Sequence, residues 1–304
     1  MKNIKTKQFQ LLTDNQIVWE LLVTNYEENE IGAPFFEYAI TSTWLEKRYL
    51  YRNRLWLDGD KAVGFVFYEE PYTDVRFCLN SGYEELADEM IEYAEKCMPG
   101  TNEEKSLIFN PVQKALIKAA EKRGYRQCDV FEDRVIDFDE AVLNYPLPDG
   151  FHFVDPEHVD PAKLAKCTWK GFDHEDKGPF ENWEGEDPGT YWNPQKAYEN
   201  VVSKIMAPPP HATYEYDIII ANEMDEYVCY AGMWWVSENK LAYMEPLCTI
   251  PEYRHKGLAA AALSEHYRRM KVLGAKCMTG GGNPFYEKIG YNRTVKTLQW
   301  KKYG

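Results

Sequence analysis

A basic, glycine-bearing turn between a strand-like run and a helix-like run is the part of this chain best suited to chemistry. It lies within residues 247–263, where Arg254, Gly257 and Ala259 have Arg-x-x-Gly-x-Ala spacing. The small residues open the helix where its first backbone N–H groups have no acceptor within the helix, and such a helix end binds anions. The turn therefore predicts a pyrophosphate site, the alternative being an ordinary surface loop before an amphipathic helix.

The elements that position this turn follow from hydrophobic periodicity. Apolar and small residues at helical spacing continue to Gly274, which stands where a C-terminal helix cap is expected. The pattern predicts strands at 211–222, 227–236, 241–250 and 275–279, a turn at 237–240, and a helix over 257–273. The second half is thus predicted to be an antiparallel meander followed by a helix and a buried strand.

The first half of the chain repeats this order of elements. The pattern there predicts strands at 54–58, 61–68, 74–79 and 106–110 and a helix over 83–97. Short strings also match between the halves: Asn110-Pro111 with Glu121-Lys-Arg-Gly-Tyr125, and Asn283-Pro284 with Glu287-Lys-Ile-Gly-Tyr291. Together the order and the strings predict a duplication.

A polar, proline-bearing segment at 144–150 separates the two halves and predicts a boundary between domains at 1–145 and 146–304. The halves differ at the basic turn. The first half has Leu79-Asn-Ser-Gly-Tyr83, with no arginine or lysine and with a bulky tyrosine. We therefore expect that the first half does not hold a pyrophosphate.

Composition indicates a globular protein with an acidic surface. The chain has 304 residues, 44% of them hydrophobic and 15% aromatic, which suffices for the cores of about two domains. Its net charge of -14 opposes nucleic acid binding and favours a small cationic substrate. No run is apolar enough for a membrane span or a signal peptide, so a cytoplasmic location without a membrane partner is expected. Seven scattered cysteines and isolated histidines predict reduced thiols and no metal site.

The turn and the residues after it resemble the signature of the GNAT acetyltransferase superfamily. That signature is (Gln/Arg)-x-x-Gly-x-(Gly/Ala) between the fourth strand and the third helix, followed by Asn and a Tyr-Glu-x-x-Gly-(Phe/Tyr) string. The matching residues are Arg254, Gly257, Ala259, Asn283, Tyr286, Glu287, Gly290 and Tyr291. Only Pro284 and Phe285 separate Asn283 from Tyr286, which is shorter than the usual spacing, so a clipped fourth helix is expected.

The resemblance implies an α+β fold with two tandem GNAT-like modules, each a mixed, mostly antiparallel sheet flanked by helices. In the C-terminal module the central strands splay apart. The N-terminal module looks like a degenerate copy of the same fold. A monomer or a homodimer is expected, and the convincing resemblance extends from about residue 217 to the C-terminus.

The resemblance also implies acetyl-CoA as the acyl donor, without a metal. Its pantetheine arm would pair with the open edge of the fourth strand as an added strand does, and backbone amides would bind its pyrophosphate. Pro246 either marks that edge or simply ends a strand. The residues expected to bind acetyl-CoA are Leu247, Cys248, Thr249, Arg254, His255, Lys256, Gly257, Leu258, Ala259, Asn283 and Tyr286.

Transfer of the acetyl group to an amine requires a neutral amine, whereas an alkyl amine with a pKa of about 10.4 is largely protonated at pH 7. Glu245 on the fourth strand is the candidate base, the alternative being a carboxylate that only binds substrate. Tyr286 resembles the family's general acid, which protonates the departing thiolate, the alternative being a core tyrosine. Asn283 is expected to bond the pantetheine arm or to cap the clipped helix. A backbone N–H near Leu247 is the family-like donor to the oxyanion, and Cys248, without a histidine partner, is interpreted as a packing residue.

An aromatic and acidic segment at 169–192 precedes the meander, where GNAT proteins cover the acceptor site. Its rings, among them Trp169 and Trp183, are candidates to bind a cationic acceptor, as is Glu245. The alternative is a solvated acidic loop whose aromatic residues pack on the core. These features favour an N-acetyltransferase that moves an acetyl group from acetyl-CoA to a primary amine of a small cationic molecule by direct attack in a ternary complex. The alternatives are a non-catalytic acyl-CoA sensor or scaffold and a peptide or protein N-acetyltransferase.

Overall fold

A computed structural model describes residues 2–26, 32–181 and 193–303. The strands are β1 (Ile4–Gln8), β2 (Arg54–Asp58), β3 (Lys61–Tyr68), β4 (Asp74–Leu79), β5 (Ser106–Phe109), β6 (Tyr125–Asp137), β7 (Phe151–Phe153), β8 (Ile218–Asn222), β9 (Tyr227–Val236), β10 (Leu241–Thr249), β11 (Cys277–Thr279) and β12 (Arg293–Lys302). The α-helices are α1 (Leu11–Thr24), α2 (Pro34–Thr41), α3 (Ala87–Cys97), α4 (Lys114–Lys122), α5 (Pro161–Gly171), α6 (Pro194–Met206), α7 (Leu258–Val272) and α8 (Pro284–Ile289). None of the helices in the described ranges is long and apolar enough to cross a membrane.

The chain divides into two compact units. Unit 1 consists of Met1–Ile40, Leu45–Asp133 and Thr294–Gly304, and unit 2 consists of Thr41–Trp44 and Arg134–Arg293. Strand β6 therefore begins in unit 1 and ends in unit 2, and all of β12 after Arg293 belongs to unit 1. These units are defined by which residues pack together. The predicted domain boundary after residue 145 therefore stays a prediction.

Unit 1 contains a mixed sheet with the strand order β1-β2-β3-β4-β5-β12-β6. Strands β1 to β4 are antiparallel neighbours, whereas β4 and β5 are parallel and α3 connects them. The structure has β2, β3 and β4 at the predicted residues. Every position of β3 after Lys61 is buried, and the ring centroids of Phe65 and Phe67 lie 5.3 and 5.1 Å from that of Phe36 on α2. Because β3 lies in this aromatic cluster and is buried, its residues are almost all apolar, and such a run is easy to recognise in the sequence.

Unit 2 contains a mixed sheet with the strand order β6-β11-β10-β9-β8-β7. Strands β7 to β10 are antiparallel neighbours, β10 and β11 are parallel with α7 between them, and β11 is antiparallel to β6. The predicted strand at 227–236 is confirmed, whereas the strand predicted over 211–222 is limited to Ile218–Asn222. Both units thus have the expected α+β architecture, and both contain a meander, a helix, a parallel strand and a second helix in that order. That the first copy is degenerate stays a prediction.

Helix α7 packs on β8, β9 and β10 through small side chains. Ala260, Ala261 and Ala262 are buried in consecutive positions, and Leu263 is also buried. Because alanine side chains are short, the helix axis lies close to the strands. This packing fixes the N-terminus of α7 beside the end of β10.

Candidate functional site

The two central strands of unit 2 separate after a short parallel pairing. The paired residues are Leu241 with Cys277 and Ala242 with Met278. Thr279 ends β11, and its hydroxyl accepts a hydrogen bond from the Met244 N–H at 2.8 Å. From Glu245 to Thr249, β10 has no partner in β11 within the described ranges. The predicted splay is therefore present, and it leaves an open edge along β10.

A β-bulge turns β10 where the splay begins. Two residues of β10, Glu245 and Pro246, lie opposite the single residue Gly232 of β9. A Cβ atom at position 232 would collide with the Glu245 carbonyl oxygen and would lie 2.8 Å from Pro246 Cδ, so only glycine fits there. The Glu245–Pro246 peptide is cis. Pro246 thus marks an interruption of strand pairing, which is the first of its two interpretations from the sequence.

The turn from β10 to α7 carries backbone N–H groups that lack protein acceptors. His255 and Gly257 have left-handed backbone conformations, with φ of 61° and 85°. The first N–H that bonds back to the start of the helix is that of Ala261, which donates to the Gly257 carbonyl at 3.0 Å. For the N–H groups of residues 255–260, no acceptor is found in the part of the chain that the structure describes. Such open N–H groups and the positive end of the α7 dipole together favour the binding of an anion.

Arg254 braces this turn from the protein side. Its Nε donates to the Thr249 carbonyl at 3.0 Å, and its Nη2 donates to the Gly171 carbonyl at 3.1 Å. The same Nη2 donates to both carboxylate oxygens of Asp173 at 2.9 Å. The guanidinium therefore connects the end of β10 to the end of α5. A direct contact of Arg254 with a phosphate stays a prediction, whereas its role in holding the turn is visible.

The other residues of the turn differ in exposure. His255 and Lys256 are exposed, Ala259 is half-buried, and Leu258 packs into the core of unit 2. Lys256 Nζ lies 4.3 Å above the ring of Tyr253, so a cation stays close to the open N–H groups. Lys256 is therefore a nearby positive charge, while Leu258 can serve an anion only through its backbone N–H.

Tyr286 lies beside the splay, because the two glycines that directly follow β11 support its ring. A Cβ atom at Gly280 would lie 2.7 Å from that ring, and one at Gly281 would lie 3.3 Å from it. Tyr286 is 8% exposed, and its ring centroid is 5.1 Å from that of Tyr291. Burial raises the pKa of the Tyr291 hydroxyl well above its ordinary value. The ring of Tyr286 is thus held firmly at the end of β11.

Helix α8 is short and begins at a side-chain cap. It spans only Pro284–Ile289, so the expected clipped helix is confirmed. The Asn283 Oδ1 atom accepts a hydrogen bond from the Phe285 N–H at 2.9 Å. Capping is therefore one role of Asn283, and the bond to a pantetheine arm stays a prediction.

Comparison with known families decides what this arrangement is. Residues 163–291 match the model of the acetyltransferase (GNAT) family. These residues belong to the GNAT family. The matched range includes the splay, the bulge, the basic turn and Tyr286, and the chain is accordingly an acyltransferase enzyme. No curated protein matches the chain by sequence.

Solved structures share the fold of the whole chain. A GCN5-related N-acetyltransferase from Sphaerobacter thermophilus has a TM-score of 0.54 at 13% identity, covering 98% of this chain and 94% of that one. A tandem GNAT protein from the clavulanic acid biosynthesis pathway has a TM-score of 0.55 at 10% identity, covering 98% of both chains. The C-terminal domain of a putative lysylphosphatidylglycerol synthetase from Agrobacterium fabrum has a TM-score of 0.59 at 10% identity, covering 97% of this chain and 93% of that one. These likenesses establish a fold shared with tandem GNAT proteins.

Three residues of the GNAT domain expected to bind the donor lie on the open part of β10. Leu247 and Thr249 are half-buried, whereas Cys248 is 4% exposed. A Cβ atom at Gly171 of α5 would lie 2.7 Å from Cys248 Sγ, which shows how closely this thiol packs. Cys248 is thus the packing residue expected from the sequence, and only its backbone remains available to a ligand. Glu245 is half-buried at the bulge, and its catalytic role stays a prediction.

The structure describes one of the two tryptophans expected to bind the acceptor, and the ring of that one is not exposed. Trp169 on α5 is fully buried, and its Nε1 donates to the Gly178 carbonyl at 3.1 Å. Because no face of its ring reaches solvent, the structure gives Trp169 a packing role instead of the expected cation contact. Trp183 lies outside the described residues.

Two contributors to the site of the GNAT domain were missed from the sequence. Thr279 ends the pairing of β11 with β10, and Asp173 holds Arg254. In the sequence, Thr279 is only the last residue of a predicted strand, and this position does not mark it as part of a site. Asp173 is one of several acids in the segment at 169–192, and no spacing rule connects it to an arginine 81 residues later.

Proposed function

We propose that the GNAT domain transfers an acetyl group from acetyl-CoA to a primary amine of a small cationic molecule by direct attack in a ternary complex. One observation carries the proposal: open N–H groups at the start of α7 lie next to the unpaired edge of β10. A pyrophosphate and an amide-bearing arm need these two features in this order. The acyltransferase family of residues 163–291 supports the same conclusion.

The donor would be held mainly by backbone groups. The N–H groups of residues 255–259 would bind the pyrophosphate, each charge-assisted bond contributing roughly 1.5–3 kcal/mol. The edge of β10 from Glu245 to Thr249 would pair with the pantetheine arm as an added strand does. Arg254 would keep the turn in the conformation that presents these groups.

The chemistry would use groups at the splay. A backbone N–H near Leu247 would stabilise charge that develops on the thioester oxygen, since preorganised donors act most strongly in a partly dry site. Tyr286, held at the end of β11, would give its proton to the departing thiolate. Glu245 would receive the amine at the bulge, and the net charge of -14 supports a cationic acceptor.

Unit 1 would not bind acetyl-CoA, because one of its own side chains occupies the corresponding edge. Pairing of β4 with β5 ends at Arg76 and Ile108. Just beyond, Gln113 Nε2 donates to the Phe77 carbonyl at 2.6 Å, and Gln113 Oε1 accepts from the Asn110 N–H at 2.9 Å. The amide of Gln113 thus makes the hydrogen bonds that an inserted arm would need.

The test combines binding and turnover in the full chain. Calorimetric titration with acetyl-CoA is expected to give one site per chain, and a panel of small diamines and amino sugars is expected to include amines that release CoA. Absence of acetyl-CoA binding would overturn the donor assignment. Binding without CoA release from any amine would instead favour a non-catalytic acyl-CoA sensor.

A further inference from the structure

A tyrosine and a carboxylate are hydrogen-bonded to each other beside the bulge of unit 2. Tyr230 of β9 donates from its hydroxyl to Asp217 Oδ2 at 2.8 Å, and Asp217 Oδ1 accepts from the Met233 N–H at 2.8 Å. Asp217 directly precedes β8, and Tyr230 is half-buried. The pair therefore connects a partly exposed tyrosine to a carboxylate inside the protein.

The strand register brings this pair to the splay. Tyr230 lies opposite Cys248 on β10, so both side chains point to the same face of the sheet. Two residues later, Gly232 lies opposite the bulge that contains Glu245. Because Cys248 packs against α5, Tyr230 lies on the face that α5 covers. Its strand, β9, pairs with one edge of β10, and the other edge of β10 is the one proposed to bind the donor.

The Asp217 carboxyl is suited to exchange a proton near neutral pH. The residue as a whole keeps some exposure, but its carboxylate is enclosed, and this burial raises its pKa to about 7. The bonds from the Met233 N–H and the Tyr230 hydroxyl act in the opposite direction and lower the pKa, as does the charge of Lys204 on α6, whereas Glu215 raises it.

The remaining ionisable neighbours are few in the described ranges. Lys204 is itself buried and donates to Ser42 Oγ at 2.7 Å. On the α7 side, His266 donates from Nε2 to the carbonyl of Tyr216, the residue before Asp217, at 3.0 Å. Burial lowers the pKa of His266 to about 3, so this histidine stays neutral while the Asp217 carboxyl titrates. On β10, Glu245 lies in the bulge opposite Gly232, which is two residues after Tyr230 on β9.

We propose that Tyr230 and Asp217 form the relay that removes the proton from the acceptor ammonium, an inference that rests on the proposed amine acetylation. The ammonium N–H bond breaks as an O–H bond forms at Tyr230 Oη, while the Tyr230 O–H bond breaks as one forms at Asp217 Oδ2. Tyr230 ends as it began, the amine gains its lone pair for attack, and Asp217 holds the proton until solvent takes it. In this scheme Glu245 binds the ammonium before the proton is removed, and Asp217 accepts the proton, so the two carboxylates have different roles.

The arrangement fits a relay better than a purely structural bond. The Met233 N–H needs only one oxygen, which an asparagine would also supply. The second oxygen of Asp217 meets a hydroxyl, and a hydroxyl can accept one proton while it donates another. Asp217 thus acts through Tyr230, as a positioning and proton-accepting residue that does not itself contact the amine.

The test is the pH dependence of turnover in Asp217→Asn and Tyr230→Phe of the full chain. Glu215→Gln is the matched control, which removes a neighbouring carboxylate but leaves the pair; it is expected to keep the pH dependence, shifted to lower pH because Glu215 raises the pKa of Asp217. The unchanged protein is expected to show kcat rising with pH through about 7, since Asp217 must be ionised to accept a proton. Each relay variant is expected to lose this rise of kcat with pH and about 100-fold of kcat at pH 7, with unchanged acetyl-CoA affinity. The double variant is expected to lose no more than either single variant. Glu245→Gln is expected to raise KM instead.

A second measurement follows the protonation of Asp217 in the absence of substrate. The carboxylic acid band of Asp217 in infrared difference spectra, identified by its loss in Asp217→Asn, is expected to titrate near pH 7 and at higher pH in Tyr230→Phe. Titration near pH 4, or a normal pH limb in Asp217→Asn, would overturn the relay. If the unchanged protein bound no acetyl-CoA or released no CoA with any amine, the proposed function would be overturned instead. Failure of the relay and failure of the proposed function are therefore distinguishable.

Discussion

Three glycines with nearly the same backbone conformation allow a sharp test of the pyrophosphate site. Gly257 is the N-cap of α7, Gly274 follows the end of that helix, and Gly82 occupies the corresponding turn of unit 1, with φ of 85°, 86° and 85°. A Cβ atom at Gly82 or Gly274 would meet no atom within 4 Å, and one at Gly257 would meet only Pro148 Cγ at 3.9 Å. Alanine therefore fits the space at all three positions, and only the left-handed conformation opposes it.

We expect each alanine variant to lower the free energy of unfolding by about 1 kcal/mol. A left-handed L-residue costs roughly 1–2 kcal/mol, and the stiffer unfolded chain offsets about 0.4–1 kcal/mol of this. Only Gly257→Ala should also weaken acetyl-CoA binding, because strain there rotates the N–H groups of the turn. The loss of one charge-assisted bond, about 1.5–3 kcal/mol, corresponds to a roughly 10- to 100-fold higher Kd.

Urea unfolding and calorimetric titration with acetyl-CoA measure the two effects separately. Gly274→Ala and Gly82→Ala serve as controls, since they have the same conformational cost but do not belong to the β10–α7 turn. Unchanged affinity in Gly257→Ala, together with lowered stability, would refute the placement of the pyrophosphate. Equal weakening in Gly274→Ala would trace the effect to the general loss of stability.

Three other predictions follow from side-chain contacts. Asp173→Asn should weaken acetyl-CoA binding about 3- to 10-fold in calorimetry if Arg254 acts by bracing the turn; tighter binding would mean that Arg254 contacts phosphate directly and that Asp173 competes for it. Tyr286→Phe should lower kcat for CoA release about 100-fold with unchanged acetyl-CoA affinity, and an unchanged kcat would exclude the tyrosine as the acid. Burial lowers the pKa of His266 to about 3 in the folded protein, so only the unfolded chain binds this proton between pH 6.5 and 3. The contribution of His266 to the free energy of unfolding is thus fully present above pH 6.5 and is lost as the pH decreases. Urea unfolding is expected to show a loss of about 2 kcal/mol at pH 5 relative to His266→Gln. Parallel pH profiles of stability in the two proteins would contradict this.

The strands recovered from the sequence are those whose periodicity and turns agree. β2, β3, β4 and β9 have the predicted bounds, because each contains a run of apolar residues between clear turn residues. β6 was missed, although it is the longest strand described. Seven consecutive positions from Arg126 to Glu132 are exposed, so pairing with neighbouring strands, and not an apolar pattern, determines this element.

The sequence predicted where the β10–α7 turn lies along the chain, but not which side chains and carbonyls hold it. The spacing of Arg254, Gly257 and Ala259 located the turn, since local backbone geometry depends on local residue types. It could not show that the Arg254 guanidinium binds the carbonyl of Gly171, because α5 and β10 meet only in the folded chain. Trp169 was misread for the same reason: its aromatic and acidic neighbours in the sequence do not reveal that α5 buries it.

The contrast between the two units lies in the side chains across the splay more than in the backbone. Gly82 and Gly257 have the same left-handed conformation, so the shape of the turn alone does not make a donor site. In unit 2 the short hydroxyl of Thr279 extends the pairing only to Met244 and leaves the rest of β10 open. In unit 1 the longer amide of Gln113 bonds to Phe77 of β4 and to Asn110, the residue that follows β5, as one residue of an added strand would. Under the proposed function, a single side chain would thus be enough to close the donor edge of unit 1 while the fold of that unit is kept.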